Sequence, residues 1–369
     1  MPKQRDDVLM TGYDNYINRK AYRIIGVIAF MGIMGLVGCS GNEVEGPQAD
    51  QTISFAGSLT EEKAVSRADR GLEELLTNKS FKAWGYKNTA VSGSDYTDYQ
   101  AVMLDYTVNW ASNTANTTES NTHDWEYVGQ AAGQSIKYWD FSAKAYRFFA
   151  YALGNGTAST VTVDTSDDTK VSFTSSVNGS DDASIDAAPY FSELWFTNDK
   201  VNAYGKAVTL KFLKPFARVR FLFMISPDLT IDRSALSKIK FHPTPSGGTT
   251  PTIATAGNVT VTYPLKGTET KETWTSAASG GIAAFTEDEK WYYVLPAPDQ
   301  GSYTIEVAVE TDEVKTATVP ASFMSWKTGY EYTYVFKITE SGGLTIDVIE
   351  VAVNDWTDKG VVNHEVYNW

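Results

Sequence analysis

"VTLKFLKPFARVRFLF" (208–223) decides the fold. Its first half sets Val208, Leu210 and Phe212 on one face, with Thr209 and Lys211 on the other. Its second half, beyond Lys214-Pro215, repeats the pattern with Val219, Phe221 and Phe223. A period of two is the side-chain repeat of a half-buried strand. The same signature recurs on either side. "KAYRFFAYA" (144–152) alternates Tyr146, Phe148 and Ala150 against Arg147 and Phe149. "KWYYVLP", "SYTIEVAVE" and "GYEYTYVFKIT" repeat it, each bounded by Gly, Pro, Asp or Ser. Aromatics make up 13% of the chain, with 21 Tyr and 10 Trp, which suits pleated, half-buried surfaces.

Helical signals are thin. "ADRGLEELL" brings Leu72, Leu75 and Leu76 together at helical spacing, and "DRSALSKIKF" allows a turn or two. Many short strands separated by turn signals predict an all-β chain of antiparallel, Greek-key-like sandwiches. The polar stretches 111–124 and 155–184 read mostly as exposed loops or hairpin tips. The span from Asp186 to Gly205 leads into the strongest strand pair, so a domain boundary is expected near residue 204.

The N-terminus carries a different message. Arg19, Lys20 and Arg23 precede the uncharged run from Ile24 to Val37. At about 1.5 Å per residue that run is too short to span a ~30 Å hydrocarbon core as a helix. Basic flank, short apolar run and small residues are the marks of a secretory signal peptide. "LVGC" (36–39) then reads as a lipobox, with lipid attached to the thiol of Cys39, the one cysteine in the chain. Everything after Cys39 lacks cysteine, which excludes disulfides and Cys-based metal sites there. Loss of residues 1–38 removes five basic and three acidic side chains, moving the formal charge from −14 to −16. So acidic a balance argues against nucleic acid, whose phosphates need Lys and Arg.

No chemistry of catalysis stands out. His123, His242 and His364 lie far apart, and no nucleophile elbow, P-loop or dinucleotide fingerprint is present. Asp164, Asp167, Asp168, Asp181 and Asp182 lack the ligand order of an EF-hand and read as solvated loop. Trp84, Trp110, Trp125, Trp139, Trp195 and Trp274 read first as packing and second as a sugar platform. The expectation is a non-enzyme with no cofactor and no metal.

Beyond Cys39, "SGNEVEGPQADQ" reads as a polar tether. "TISFAGS" follows, a first strand with Ile53 and Phe55 on one side. Arg67 and Arg70 then sit between this strand and the helix candidate, a junction open to proteolytic nicking. On charge pattern alone they read as ordinary surface residues. At the other end, "LTIDVIEVAVNDW" alternates Leu344, Ile346 and Val348, then slips phase to Ile349, Val351 and Val353. A one-residue slip moves every side chain to the opposite face. The stretch therefore either serves two surroundings or holds a bulge. A second apolar segment follows, with Val361, Val366, Tyr367 and Trp369. Either segment could close the C-terminal sandwich of its own chain.

The order of these features resembles the fimbrillin family, the lipoprotein-derived pilus subunits of Bacteroidales-type anaerobes. The likeness runs through "LVGCS", "ISFAG", "SRAD", "YWDFSAKAYRFFAYA", "VTLKFLKPFARVRFLF", "WKTGYEYTYVFKIT" and "IDVIEVAVNDW", over most of residues 50–356. One departure is Lys214-Pro215, where subunits of this type often have a histidine. The resemblance implies two transthyretin-like sandwich domains and export as an outer-membrane lipoprotein. It also implies a cut after an arginine by a trypsin-like, arginine-specific protease. The bond matched is Arg67-Ala68, with Arg70-Gly71 second. The implied organisation is signal peptide 1–38, tether and first strand 39–67, N-terminal domain 68–204 and C-terminal domain 205–369. Loss of Ile53 and Phe55 would open a groove, filled by a strand from 344–369 of another copy or a related subunit. The function implied is a subunit of an extracellular fimbrium that supports adhesion. Alternatives are an anchor or tip subunit of the same pilus, or a monomeric glycan-binding surface lipoprotein.

Overall fold

The computed structural model describes residues 51–59, 72–114, 117–156, 159–227, 229, 231–248, 251–298, 300–309, 313–340, 344–355 and 367–368. The strands run in chain order as β1 (Phe55–Leu59), β2 (Ser80–Ser92), β3 (Asp95–Trp110), β4 (Trp125–Glu126), β5 (Ala145–Ala152), β6 (Thr162–Asp164) and β7 (Lys170–Asn178). They continue as β8 (Tyr190–Ser192), β9 (Trp195–Thr197), β10 (Val208–Leu213), β11 (Ala217–Ile225), β12 (Leu236–Pro243), β13 (Ile253–Pro264) and β14 (Thr273–Ile282). The last are β15 (Tyr292–Val294), β16 (Tyr303–Val309), β17 (Val314–Val319), β18 (Tyr330–Glu340), β19 (Leu344–Asp355) and β20 (Tyr367–Asn368). Among the described residues the α-helices are two short ones, Leu72–Leu75 and Asp182–Ala187. The chain is all-β, as its alternating patterns predict.

Two sandwiches result. In the first, the sheet β1-β10-β8-β5-β2-β3-β4, with β9 beside β5, is buried on both faces. One face carries Phe55, Phe81, Phe148, Val208, Leu210 and Phe212. The other carries Trp84, Tyr86, Phe149 and Phe191, packed on Val171, Phe173, Val261 and Tyr263 of the sheet β14-β13-β7-β6. This is why β5 shows almost no polar face: residues of both phases are buried along it. At Gly85, in the middle of β2, a Cβ would overlap the Phe148 ring, so the close approach requires glycine. In the second sandwich, β15-β11-β18-β19-β20 faces β12-β16-β17 over Phe221, Phe223, Phe241, Ile305, Tyr334 and Phe336.

The stretch 208–225 belongs to both sandwiches. β10 lies in the first large sheet, and β11 pairs in parallel with β18 in the second. Lys214, 5% exposed, is pinned at the crossing. Its Nζ donates to the carbonyls of Asp186 at 3.0 Å and Ala188 at 2.5 Å, and lies 4.0 Å from the Tyr190 ring centroid.

The polar run 155–184 is exposed loop and hairpin tip over much of its length, but not all of it. It contains β7, in which Val171, Phe173 and Val177 are buried while Ser and Thr occupy the alternate positions. Period-two burial is present there, masked by a polar composition. β7 pairs antiparallel with β13, from Ala256↔Asn178 to Pro264↔Lys170. The hairpin β13–β14, far along the chain, thus supplies half of the sheet that covers the first large sheet. In the run 111–124, Ser120 is fully buried. The acidic residues of these loops shape backbone: Asp181 caps the helix Asp182–Ala187, and Asp164 and Asp167 accept from the backbone N–H of Ser166 and Thr169.

Arg147 fastens the β13–β14 connection to the first large sheet. Its guanidinium is fully buried, donating to Asn88 Oδ1 and to the carbonyls of Gly267 (3.1 Å) and Glu269 (3.2 Å). The Tyr96 and Phe196 rings lie 5.3 Å and 4.8 Å away. Burial pulls its pKa down to about 10, which leaves it charged at neutral pH. Removing it strands the buried Asn88 Oδ1, at about 1–3 kcal/mol for an unsatisfied buried acceptor, and takes the charged donor away from the part-buried carbonyls of Gly267 and Glu269. Arg147→Met should therefore lower unfolding free energy by roughly 2–5 kcal/mol in a urea titration; a loss below about 1 kcal/mol would show that the guanidinium is not the fastening.

Candidate functional site

The first strand is seated on two partners. Its β1 portion lies at the edge of the first large sheet, parallel to β10, with Phe55↔Val208 through Leu59↔Phe212 in register. Just upstream, the backbone pairs instead with residues 137–139. Ile53 N–H donates to Lys137 O at 2.8 Å, and Trp139 N–H donates to Gln51 O at 2.9 Å. Val208 N–H donates to Ser54 O at 2.8 Å. The segment 51–59 therefore bridges β10 and the 137–139 backbone.

Side chains fix its register. Ile53 and Phe55, two apart and so on one face, are both fully buried. Phe55 meets Phe81, Tyr127 and Phe148 edge-on, with centroids 5.9, 6.0 and 6.0 Å away. Edge-to-face contacts add about 0.5–1.5 kcal/mol each to the burial itself. Tyr127 OH donates to Ile53 O at 2.9 Å, and burial raises its pKa, so it stays a donor. Thr122 Oγ1 donates to Ser54 Oγ at 2.8 Å, and Thr52 Oγ1 to Glu119 O at 3.0 Å.

The rim beside this seat is built around a buried carboxylate. Glu126, at the end of β4, is fully buried and accepts from the backbone N–H of Thr118 (2.6 Å), Tyr127 (2.8 Å) and Val128 (2.8 Å). The hydroxyls of Ser120 (2.5 Å) and Thr118 (3.0 Å) complete the set. Burial alone would raise the Glu126 pKa; the bonds from Ser120, Thr118 and Val128 outweigh it and hold the carboxyl below its ordinary value. These partners lie within 118–128, so the rim does not depend on the first strand for its own bonds. Nothing in "THDWEYVG" announces this network, because the glutamate sits between two aromatics as any surface residue of a strand would.

The other sequence-predicted sites fall as follows. Leu344, Ile346, Val348, Ile349, Val351 and Val353 lie in β19, paired antiparallel to β18 of the same chain. The register steps by one residue between Phe336↔Ile349 and Ile338↔Ile346. The phase slip is thus a β-bulge at 347–348, which lets both apolar phases continue in one strand. Tyr367 is in β20, opposite Ile349. Cys39, Arg67, Ala68, Arg70, Gly71, Val361, Val366 and Trp369 lie outside the described residues. No helix among the described residues is long and apolar enough to cross a membrane.

The model of the family described as fimbrillin-like matches residues 68–356. Among solved structures, a candidate cell adhesion protein from Bacteroides uniformis aligns at TM-score 0.40 and 15% identity, over 84% of this chain and 100% of that one. A fimbrial assembly protein from Parabacteroides distasonis aligns at TM-score 0.33 and 13% identity, over 85% and 100%. The C-terminally truncated tip fimbrial protein Mfa3 from Porphyromonas gingivalis aligns at TM-score 0.38 and 9% identity, over 83% and 100%. Among curated proteins none matches the chain.

Two measurements probe the seat and its rim. Phe55→Ala should cost about 3–5 kcal/mol of unfolding free energy in the uncut protein, as for other large-to-small changes in a close-packed core. Because the Glu126 pKa is depressed on folding, its contribution is fully present above pH 4.5, its ordinary value, and fades as pH falls through the folded value. Glu126→Gln should therefore be less stable than the parent at pH 7, with the gap narrowing on acidification in pH-dependent urea melts; a gap independent of pH would remove the carboxylate from this role.

Proposed function

Because this chain belongs to the fimbrillin-like family, we propose that it is a non-enzymatic structural subunit of a cell-surface pilus that supports adhesion. It is exported as a lipoprotein acylated on Cys39 and cut after Arg67, with Arg70 the second choice, by an arginine-specific protease. The cut separates residues 39–67 from the folded sandwich, and a strand from another copy or a related subunit replaces them.

The seating of the first strand carries this reading. A segment whose two apolar anchors are fully buried is nonetheless an edge strand, joined to the rest of the fold through a short stretch that contains two arginines. Its departure would leave the outer edge of β10 unpaired beside an apolar floor of Phe81, Tyr127 and Phe148. Such an edge recruits a strand. The family match opens at residue 68, directly after Arg67.

The donated segment is the tail beyond β19. β19 pairs with β18 from Tyr330↔Asp355 to Glu340↔Leu344, and giving it away would unpair a central strand of its own sheet. The tail holds Val361, Val366, Tyr367 and Trp369. Burying four such side chains is worth roughly 1.5–3 kcal/mol each, offset in part by ordering the tail.

Light scattering and electron microscopy on protein cut after Arg67 test the reading. The cut chain should assemble into linear polymers at high concentration, the uncut chain should stay monomeric, and deletion of 357–369 should stop assembly. A cut chain that stays monomeric, with no effect of the deletion, would overturn it.

A further inference from the structure

A cleft of about 660 Å³ opens where the two sandwiches meet, lined by the start of β14, the segments 193–194 and 296–298, and the turn that leads into β18. The volume lies within the usual range for a small-ligand site. Of the tryptophans that could form a platform, Trp84, Trp125 and Trp139 are buried, while Trp110 and Trp195 pack against the first core. Trp274 alone of these six lines the cleft.

The Trp274 ring is held in place. Its Nε1–H donates to Glu272 Oε1 at 3.2 Å, and the other oxygen of Glu272 accepts from Leu194 N–H at 2.8 Å. Phe191 meets the indole edge-on at 5.9 Å. A rigid, half-buried aromatic offers its exposed surface at little entropic cost on binding.

The charged groups left without a partner are cationic. Glu272 is engaged as described, and Glu193 is paired with Lys211 at 3.4 Å. Lys271 and Lys327 are exposed on the cleft wall and form no ion pair with any described residue. Lys327 Nζ stands 6.0 Å from the centroid of Tyr330, a second aromatic of the lining. Two ammonium groups without an ion pair thus share the cleft with two carboxylates that already have partners, Glu193 with Lys211 and Glu272 with two N–H groups.

We propose that this cleft binds a saccharide carrying a carboxylate, such as a uronic or sialic acid residue. The C–H face of the sugar ring packs on Trp274. Its carboxylate is met by Lys271 and Lys327. The carboxylate contacts are charge-assisted and so the stronger ones.

Titration of the full chain with sodium glucuronate against glucose, and with sialyllactose against lactose, tests this by saturation-transfer NMR and calorimetry. At least one acidic sugar should bind about tenfold or more tighter than its neutral counterpart, a difference of about 1.4 kcal/mol. The double variant Lys271→Gln, Lys327→Gln changes only exposed side chains and should erase that preference. Trp274→Ala should weaken acidic and neutral sugars alike by about tenfold or more. Absence of saturable binding by all four probes, equal affinity for both members of each pair, or an unchanged preference in the double lysine variant would overturn the proposal. None of these outcomes depends on whether the protein polymerises.

Discussion

The outer edge of β10 is the constraint on which the rest of the molecule turns. A strand edge carries a row of amides and carbonyls that must be paired, covered or hydrated. β10 cannot be moved inward to escape this, because residues 208–225 continue through the pinned Lys214 into β11 and the second sandwich. Its inner side is already taken by β8. Segment 51–59 meets the requirement, and it does so with the two side chains that complete the apolar face of the sheet. A strand used this way is energetically central and topologically dispensable. It holds a core position, yet its β1 portion ends the strand order of the sheet.

Much of this arrangement was legible in the sequence. Clean alternation marked β10, β11, β16 and β18, and Ile53 with Phe55 were readable as one face of a first strand. The phase slip at Val348–Ile349 pointed to a bulge among its possible meanings, and a bulge is what β19 has. What stayed hidden depended on long-range partners. β7 looked like a polar loop because its buried Val171, Phe173 and Val177 are diluted by Ser and Thr, which are comfortable in strands. Nothing local tells a hairpin which sheet to join, so the pairing of β13 with a strand some ninety residues earlier has no signature. Glu126 and Arg147 were invisible for a related reason. Each sat in an alternating run where a charged residue normally faces water, and burial became tolerable only through partners supplied by distant or irregular backbone.

Glu126 and Arg147 have complementary roles. Arg147 fastens the connection between β13 and β14 to the first large sheet, which also fixes one wall of the cleft through Glu272 and Trp274. Glu126 gathers 118–128 into a rim beside the first strand, using donors that remain when that strand leaves. A groove with a rim formed in advance loses less entropy on accepting a new strand than one that must reorder. Assembly and ligand recognition would then occupy separate regions of one chain, the first at the edge of β10 and the second at the junction of the sandwiches.

The most direct measurement is the N-terminus of the protein as it stands on intact cells, determined by mass spectrometry of material sheared from the surface. The account predicts a chain beginning at Ala68, or at Gly71, without lipid. A surface form that retains acylated Cys39 and residues 40–67 would contradict it, because the first strand would then still occupy the seat that polymerisation requires.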